Sequence, residues 1–573
     1  MRPAQAPVPP DAPWFAHYPA NVPKTMEVPN VRLPDLVEAS VERWRDRTAL
    51  IYYGKRWTYR QFWDATGRVA ATLAADGFVP GDRLALYLPN SPAHPIAFYG
   101  ALRLGLTVVQ VSPLYLGQDL IRVLTDSGAK GLVTLEILYP NVAKVAASVR
   151  VPLVYVARTR EFYPWPQRLF VNAVLRRQGR TTAVPSDDNV RPWSHLVGGS
   201  GTFAKPTTDP AEDVAVYQYT GGTTGWPKAA MLTHRNLVAN AVQCRAWFAA
   251  QAPGTSIVLA AIPFFHVYGM TVALNYPLAH GATIVLENRP DPDETLRLIG
   301  KYRPTELPGV PALYAALSHH PKVGTYDIRS IKVCVSGSAP LPAEVAKRFE
   351  QLTGGNLIEG YGLTEASPVT HANPIDGERR AGSIGLPLPL TDQRVFDLED
   401  RSKVLGPGEV GELAVRGPQV MLGYANAPAE TGAVLRGEWL LTGDIARIDS
   451  DGYAFIVDRK KDLIDVGGFK VYPREVDEVL YQHPAVAEAA VIGVPDERLG
   501  EVVKAFVVLR AGQTTTESEL ILFVRERIAH YKAPRTVEFR TELPKSAVQK
   551  VLRRMLREPP ATPTGPAPAG PGR

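Results

Sequence analysis

Residues 219–228 read YTGGTTGWPK, and the fold turns on how this stretch is read. Its three glycines allow tight backbone turns, so main-chain N–H groups can face phosphate oxygens. Thr220, Thr223 and Thr224 add hydroxyl donors, and Lys228 adds a positive charge. No Lys-Ser/Thr pair follows Gly225 at the spacing of a Walker A loop, so any phosphate cradle here is of another kind. A flexible Gly/Thr loop is the plain alternative, and the rest of the chain decides between the two.

The chain has 573 residues, several times the common domain size of about 100–150, so at least two domains are expected. With 45% hydrophobic and 21% charged residues it can bury large cores, which excludes an intrinsically disordered protein. The net charge of +6 suits anionic small molecules and falls short of a nucleic-acid arm. Two cysteines, Cys244 and Cys334, give neither a disulfide framework nor a cysteine zinc site, so a reducing compartment is expected. The N-terminus lacks the apolar core of a secretion signal. The segment 246–286 holds no Asp, Glu, Lys or Arg, but prolines and His266 interrupt it. Buried strands and helices explain it better than a membrane span.

Helical stretches at 35–44 and 59–76, the second interrupted by Gly67, alternate with short apolar runs at 83–88, 107–110 and 131–134. That alternation predicts α/β layers with largely parallel sheets. A turn-rich β region precedes the charged run DRKKD at 458–462, and a compact pattern follows it. There a helix is expected over 473–481, strands over 486–494 and 502–509, and a helix over 517–530. The expected division is a proline-rich, poorly ordered segment 1–30, a large domain 31–458, a hinge 459–462, a small domain 463–557 and a disordered proline-rich tail 558–573. The run 158–180 carries six arginines against one glutamate, interleaved with aromatic and aliphatic residues. A solvated loop is one reading of it, and a patch touching anionic membrane surfaces is the other.

YTGGTTGWPKAAMLTHRN resembles the phosphate loop of the adenylate-forming superfamily, which includes acyl-CoA synthetases, peptide-synthetase adenylation domains and firefly luciferase. Further segments follow in the superfamily's order: SGSAP at 336–340, EGYGLTEASP at 359–368, LTGD at 441–444, DRKKDLIDVGGFKVYPRE at 458–475 and LPKSAVQK at 543–550. The resemblance covers about residues 30–557, and PFFHVYGM at 263–270 looks most like bacterial long-chain fatty acid–CoA ligases. It implies an α/β fold with a large N-terminal domain of packed α/β sheets, a β-rich subdomain and a small mobile α+β C-terminal domain. It also implies a reaction in two halves. A carboxylate attacks the α-phosphate of ATP to give acyl-AMP and pyrophosphate, and the thiol of coenzyme A then displaces AMP.

The resemblance assigns residues as well. Thr220, Gly221, Gly222, Thr223, Thr224 and Lys228 would hold ATP phosphates, with Glu365 and Thr220 on Mg²⁺. Ser338, Ala339, Pro340, Glu359, Gly360, Tyr361 and Thr364 would surround the nucleotide, Tyr361 stacking on adenine. Asp444 would take the ribose hydroxyls, with Arg459 beside ribose and phosphate. His266 would line the carboxylate end of the acyl pocket, and Lys550 would bridge that carboxylate and the α-phosphate. Lys461 matches the hinge, and Gly467, Gly468 and Lys470 the coenzyme A channel. Three positions depart from the family pattern: Ala229, Asp465 and Gln549 stand where glycine, lysine and glycine are usual. The expectation is a cytoplasmic ATP-dependent fatty acid–CoA ligase that meets membranes at most peripherally. Transfer to a carrier protein's phosphopantetheine and a nucleotide-binding protein without catalysis are the competing readings.

Overall fold

The computed structural model of the chain describes residues 7–165, 167–177, 184–185, 189–220, 227–248, 252–546 and 550–557. The expected disordered tail, together with Gly221, Gly222, Thr223, Thr224 and Gln549, lies outside the described residues. Two compact units divide the chain, the first running to Ile456 and the second beginning at Val457.

The first unit is organised on an eight-stranded sheet. Val214–Tyr219, Thr107–Gln110, Arg83–Tyr87, Gly131–Leu135, Leu153–Ala157 and Val190–Pro192 run parallel in that spatial order. Such strands are covered on both faces, so they read as unbroken apolar runs, which is why short stretches such as 107–110 are buried throughout. Ala229–Thr233 and then Gly423–Tyr424 extend the Val214–Tyr219 edge antiparallel. Two four-stranded sheets complete the α/β part. One contains Thr283–Leu286 and the other Val333–Ser336 beside Asn356–Gly362. A β-rich region follows, built from Asp392–Phe396, Gly411–Arg416 and Trp439–Ile448.

The helix Tyr59–Ala75 starts at a capping box formed by Thr58 and Gln61 and continues through Gly67 without a break. A Cβ at residue 67 would lie 3.2 Å from the Arg103 guanidinium, so this glycine makes room for a neighbour and does not end the helix. The first helix is Leu33–Arg43, opening earlier than expected because Pro34 is accepted in a first turn.

The expectation of a poorly ordered N-terminal segment is corrected for the described residues 7–30. Trp14, Phe15 and Val22 are buried in the main core, and the Tyr18 hydroxyl donates to the Pro387 carbonyl at 2.6 Å. Proline density marks this stretch as extended, and its aromatic side chains pay for its ordering.

The second unit is a five-stranded sheet containing Ile464–Val466, Phe469–Val471, Val486–Asp496, Gly500–Leu509 and Thr536–Phe539. Pro473–Tyr481 and Glu517–Arg525 supply Val476, Leu480, Leu520 and Val524 to its core. The second of these helices is shorter than the expected 517–530, because the chain turns after Arg525 and packs Ile528 against that core.

Cys244 and Cys334 are free and buried. Among the described residues no helix is long and apolar enough to cross a membrane. The segment 246–286 instead supplies Ile257–Ala260, Thr283–Leu286 and core residues such as Phe264 and Leu274.

One buried acid carries a pH consequence. Glu306 lies between the two four-stranded sheets and accepts a hydrogen bond from the Tyr276 hydroxyl at 3.0 Å. Burial raises its pKa from 4.5 to about 7. Between those values the unfolded chain ionises while the folded chain holds the proton, so stability should fall as pH rises through that window. Glu306→Gln should flatten this part of a melting-temperature profile against pH. An unchanged slope would show that Glu306 does not carry the effect.

Candidate active site

The glycine loop is closed at its base. Val214–Tyr219 and Ala229–Thr233 pair antiparallel with Tyr219 opposite Ala229, and the Thr220 N–H donates to the Lys228 carbonyl at 2.9 Å. Ala229 is fully buried in its strand, so the methyl group that replaces the usual hydrogen has a place in the core.

Lys228 leaves this base and meets two residues the sequence reading did not single out. Its Nζ stands 5.5 Å from the centre of the Tyr424 ring, a cation–π distance, and 3.7 Å from Glu430 Oε1. Lys228 and Glu430 are partly exposed, so their attraction is worth no more than about 1 kcal/mol and phosphates can displace it. Tyr424 in turn donates from its hydroxyl to Glu365 Oε1 at 2.6 Å. Burial, and then the Glu365 carboxylate, push the Tyr424 phenol up, so it stays a proton donor. Lys228 and Glu365, far apart in sequence, are thus brought to one aromatic ring. Gly423–Tyr424 is a two-residue strand without periodicity, which is why it escaped notice.

Glu365 sits in a short turn, Thr364–Ala366, at the end of EGYGLTE. Gly362 permits the tight return of that loop, since a Cβ there would lie 2.2 Å from the Pro368 carbonyl oxygen. One Glu365 oxygen takes the Tyr424 hydroxyl, and the carboxylate retains acceptor capacity for a cation. No cluster of three or more His, Cys, Asp or Glu suited to a metal occurs among the described residues. Magnesium held through one carboxylate, substrate phosphates and water needs no such cluster, and the free acceptor capacity of Glu365 suits that mode of binding.

The second part of the candidate site is formed by two adjacent parallel strands. Val333–Ser336 pairs with Asn356–Gly362, Ser336 opposite Glu359, so the loops that follow leave side by side. Ser338 has φ +70°, a conformation that costs a residue with a Cβ. The loop is held by Tyr268, whose hydroxyl donates to the Val335 carbonyl at 2.6 Å and whose ring fills the space beside Gly337. Ala339 is half-buried and Pro340 exposed, while Glu359 Oε2 accepts the Leu341 N–H at 3.3 Å. Gly360 and Tyr361 pair with Ala372 and His371, and Thr364 leads into Glu365. The Tyr361 hydroxyl donates to Asp444 Oδ2 at 2.5 Å, which joins two motifs the sequence reading kept apart. His371 packs edge-on to Tyr361, and burial lowers its pKa to about 4, so it is a neutral support.

His266 stands at the start of a helix whose Gly269–Asn275 portion has wide π turns, a form frequent at functional sites. It is half-buried, and Gln218 fixes the chain beside it by donating to the Phe265 carbonyl at 2.9 Å. Phe264, Val267 and Met270 belong to the main core.

In the second unit, Arg459 ends the strand Ala454–Arg459, and exposed Lys461 lies in the turn Lys460–Asp462. Gly467 and Gly468, at φ +59° and +91°, form a hairpin that Asp465 fastens. Asp465 accepts from the Gly468 N–H at 2.7 Å and from Lys470 Nζ at 2.6 Å, so this departure from the family pattern has a structural role. The Ser546 N–H donates to the Lys550 carbonyl at 2.8 Å.

Residues 37–425 match the family model for the AMP-binding enzyme, and residues 475–550 that for the AMP-binding enzyme C-terminal domain. The chain is 44% identical over 548 residues to a long-chain-fatty-acid–CoA ligase of Bacillus subtilis (strain 168), covering 95% of this chain and 98% of that one. It is 40% identical to the long-chain-fatty-acid–CoA ligase of Escherichia coli O157:H7, with the same two coverages. The crystal structure of the anthranilate CoA ligase AuaEII in complex with anthranoyl-AMP superimposes with a TM-score of 0.80 at 27% identity, covering 93% of this chain and 97% of that one. With its ordered motifs, the strand-end geometry that gathers them and both domain models matched, the chain belongs to the AMP-binding enzyme family.

Proposed function

We propose that this enzyme is an ATP-dependent fatty acid–CoA ligase acting on medium- and long-chain carboxylates. The observation that carries the reading is the joint placement of Lys228 and Glu365 on Tyr424, an ammonium for phosphate oxygens beside a carboxylate for a cation. The fatty acid substrate rests on the relatives, which are long-chain-fatty-acid–CoA ligases along nearly their whole length.

In the first half-reaction a carboxylate oxygen attacks the α-phosphorus, a P–O bond forms, and pyrophosphate leaves with the electrons of the bond that breaks. In the second, the thiol sulfur of coenzyme A attacks the acyl carbon, AMP leaves, and the thiol proton goes to solvent. Both nucleophiles belong to substrates, so the protein contributes position and charge.

Lys228 and the 220–224 loop hold the phosphates, and Asp444, fixed by Tyr361, accepts the ribose hydroxyls, with Arg459 beside them. Tyr361, between Gly360 and the Thr364 turn, forms one wall of the adenine site, and Ser338, Ala339 and Pro340 form the other, with Glu359 behind. Glu365 and Thr220 would hold Mg²⁺, which when bound neutralises phosphate charge. His266 lies at the carboxylate end of the acyl site. Lys461 is the hinge residue within 459–462, and Gly467, Gly468 and Lys470 flank coenzyme A in the thioester-forming orientation.

The enzyme works in the cytoplasm, and we include in the proposal that residues 158–180 contact anionic membrane surfaces, where fatty acids partition. What supports this is a helix that exposes apolar side chains. Gln167–Arg177 exposes Leu169 at 64%, Phe170 at 70% and Val174 at 50%, just after Trp165 at 72%. Arg168 ties the helix down by donating to the Tyr163 and Glu161 carbonyls, and Lys55 donates to the Glu161 carbonyl as well. Beside it opens a cavity of about 280 Å³ whose lining includes Lys55, Arg68 and Arg168 against one carboxylate, Glu161. Burial, and next the Arg168 charge, lower the Lys55 pKa. Positive charge gathered beside exposed apolar side chains complements an anionic bilayer.

Three outcomes test these readings. Each buried methylene contributes about 0.8 kcal/mol, so thioester formation should rise steeply from acetate to palmitate. Equal efficiency on both would overturn the chain-length reading. Lys550→Ala should slow acyl-AMP formation about a hundredfold or more while thioester formation from supplied acyl-AMP continues, since a positive charge there offsets repulsion in the first half-reaction alone. An equal fall in both halves would remove its assigned role. The protein should float with vesicles containing phosphatidylglycerol and not with phosphatidylcholine alone, and Leu169→Ser with Phe170→Ser should abolish this. Absence of flotation, or flotation indifferent to lipid charge, would leave the helix a solvated surface.

A further inference from the structure

The segment 421–425 is fastened at both ends to the two halves of the phosphate site. The Met421 N–H donates to the Glu365 carbonyl at 2.8 Å, and the Ala425 N–H donates to the Ala229 carbonyl at 2.9 Å. Between them Gly423 and Tyr424 pair with Met231 and Ala230, so the strand register places Tyr424 opposite the second residue after Lys228. Gly423 stands at φ +150° with Thr431 packed where a side chain would go, and Thr431 Oγ1 accepts the Tyr424 N–H at 2.9 Å. The main chain therefore leaves Tyr424 little freedom.

Each part of its side chain meets a different functional group. The hydroxyl donates to Glu365 Oε1 at 2.6 Å, and Lys228 Nζ stands 5.5 Å from the ring centre. Glu430, on the helix Pro428–Val434 that follows, faces Lys228 at 3.7 Å.

We infer that Tyr424 is a positioning residue for the adenylation reaction: its hydroxyl orients the metal-binding carboxylate of Glu365 and its ring seats Lys228, fixing the two at one spacing. This rests on the reading of Glu365 as the magnesium ligand. A carboxylate on a flexible side chain must lose rotamer freedom when it takes a cation, and a hydroxyl already bonded to one of its oxygens has removed that freedom beforehand. Lys228 gains in the same way from a ring that keeps its ammonium near the phosphates while leaving its N–H groups available. Tyr424 touches neither substrate nor reacting atoms in this account, so its effect passes through its two neighbours.

The two roles separate by substitution. Tyr424→Phe keeps the ring and loses the hydroxyl, whereas Tyr424→Leu loses both. Mn²⁺ binding to the full-length enzyme with α,β-methylene-ATP can be read directly from the loss of the free Mn²⁺ paramagnetic resonance signal, without turnover. Tyr424→Phe should weaken Mn²⁺ binding about tenfold or more, the range for residues that orient metal ligands. Its affinity for the nucleotide measured without metal should stay at the wild-type value. Tyr424→Leu should weaken both.

Glu365→Asp pulls the carboxylate back from the hydroxyl without touching the core, so it tests the same bond should either Tyr424 variant melt early. It should lower Mn²⁺ affinity, and adding Tyr424→Phe should then cost nothing more. Glu365→Gln marks the underlying reading. Mn²⁺ binding undiminished in Glu365→Gln would remove the ligand assignment and this inference with it. Binding lost in Glu365→Gln but unchanged in Tyr424→Phe, or additive losses in the Glu365→Asp double variant, would overturn the role of the hydroxyl alone. Metal-free nucleotide affinity equal to wild type in Tyr424→Leu would overturn the role of the ring.

Discussion

The site depends on a hydrogen bond between a neutral phenol and a carboxylate, Tyr424 to Glu365, closed at 2.6 Å. Bonds of this kind, with an ionised acceptor, contribute about 1.5–3 kcal/mol each. Its larger consequence is geometric. The glycine loop and the EGYGLTE loop come from different sheets, and neither can fix the other's distance. The segment 421–425 does so, through main-chain bonds from Ala425 to Ala229 on one side and from Met421 to Glu365 on the other. A second phenol–carboxylate bond, Tyr361 to Asp444, joins the EGYGLTE and LTGD segments in the same way. In both places a tyrosine fixes the position of an acid.

Around these bonds the fold supplies strand ends. Lys228 precedes the strand Ala229–Thr233, Ser338 follows Val333–Ser336 and Tyr361 lies near the end of Asn356–Gly362, strands that send residues such as Ala230, Val335 and Ile358 into the core. Backbone amides, hydroxyls and charged groups can gather there without being buried unpaired, and the sheets behind keep them from shifting. Glycine is required where chains approach most closely, as at Gly362 against Pro368. Preorganised charge is the useful commodity for phosphoryl transfer between substrates that bring their own nucleophiles.

Much of this was legible in the sequence, for physical reasons that differ from place to place. Parallel strands such as Thr107–Gln110 announce themselves because burial on both faces leaves no polar alternation. The glycine loop announces itself because only a few residue types can turn and donate together. What stayed hidden depends on contacts remote in sequence. Tyr424 sits in a strand of two residues, too short for any period, and its importance comes from Glu365, 59 positions away. Trp14 and Tyr18 order a proline-rich segment by packing near Gly452 and bonding to Pro387, which composition cannot reveal. Asp465 departs from a family pattern and finds its reason only in the hairpin it closes with Gly468 and Lys470.

The reaction requires a carboxylate oxygen to form a bond to the α-phosphorus of ATP. Palmitate labelled with ¹⁸O in both carboxylate oxygens, incubated with ATP, Mg²⁺, coenzyme A and the enzyme, reports that bond directly through the mass of the AMP released. One ¹⁸O atom is expected in AMP for each acyl-CoA formed, and none in pyrophosphate. Label appearing in orthophosphate, or AMP released without label, would contradict it.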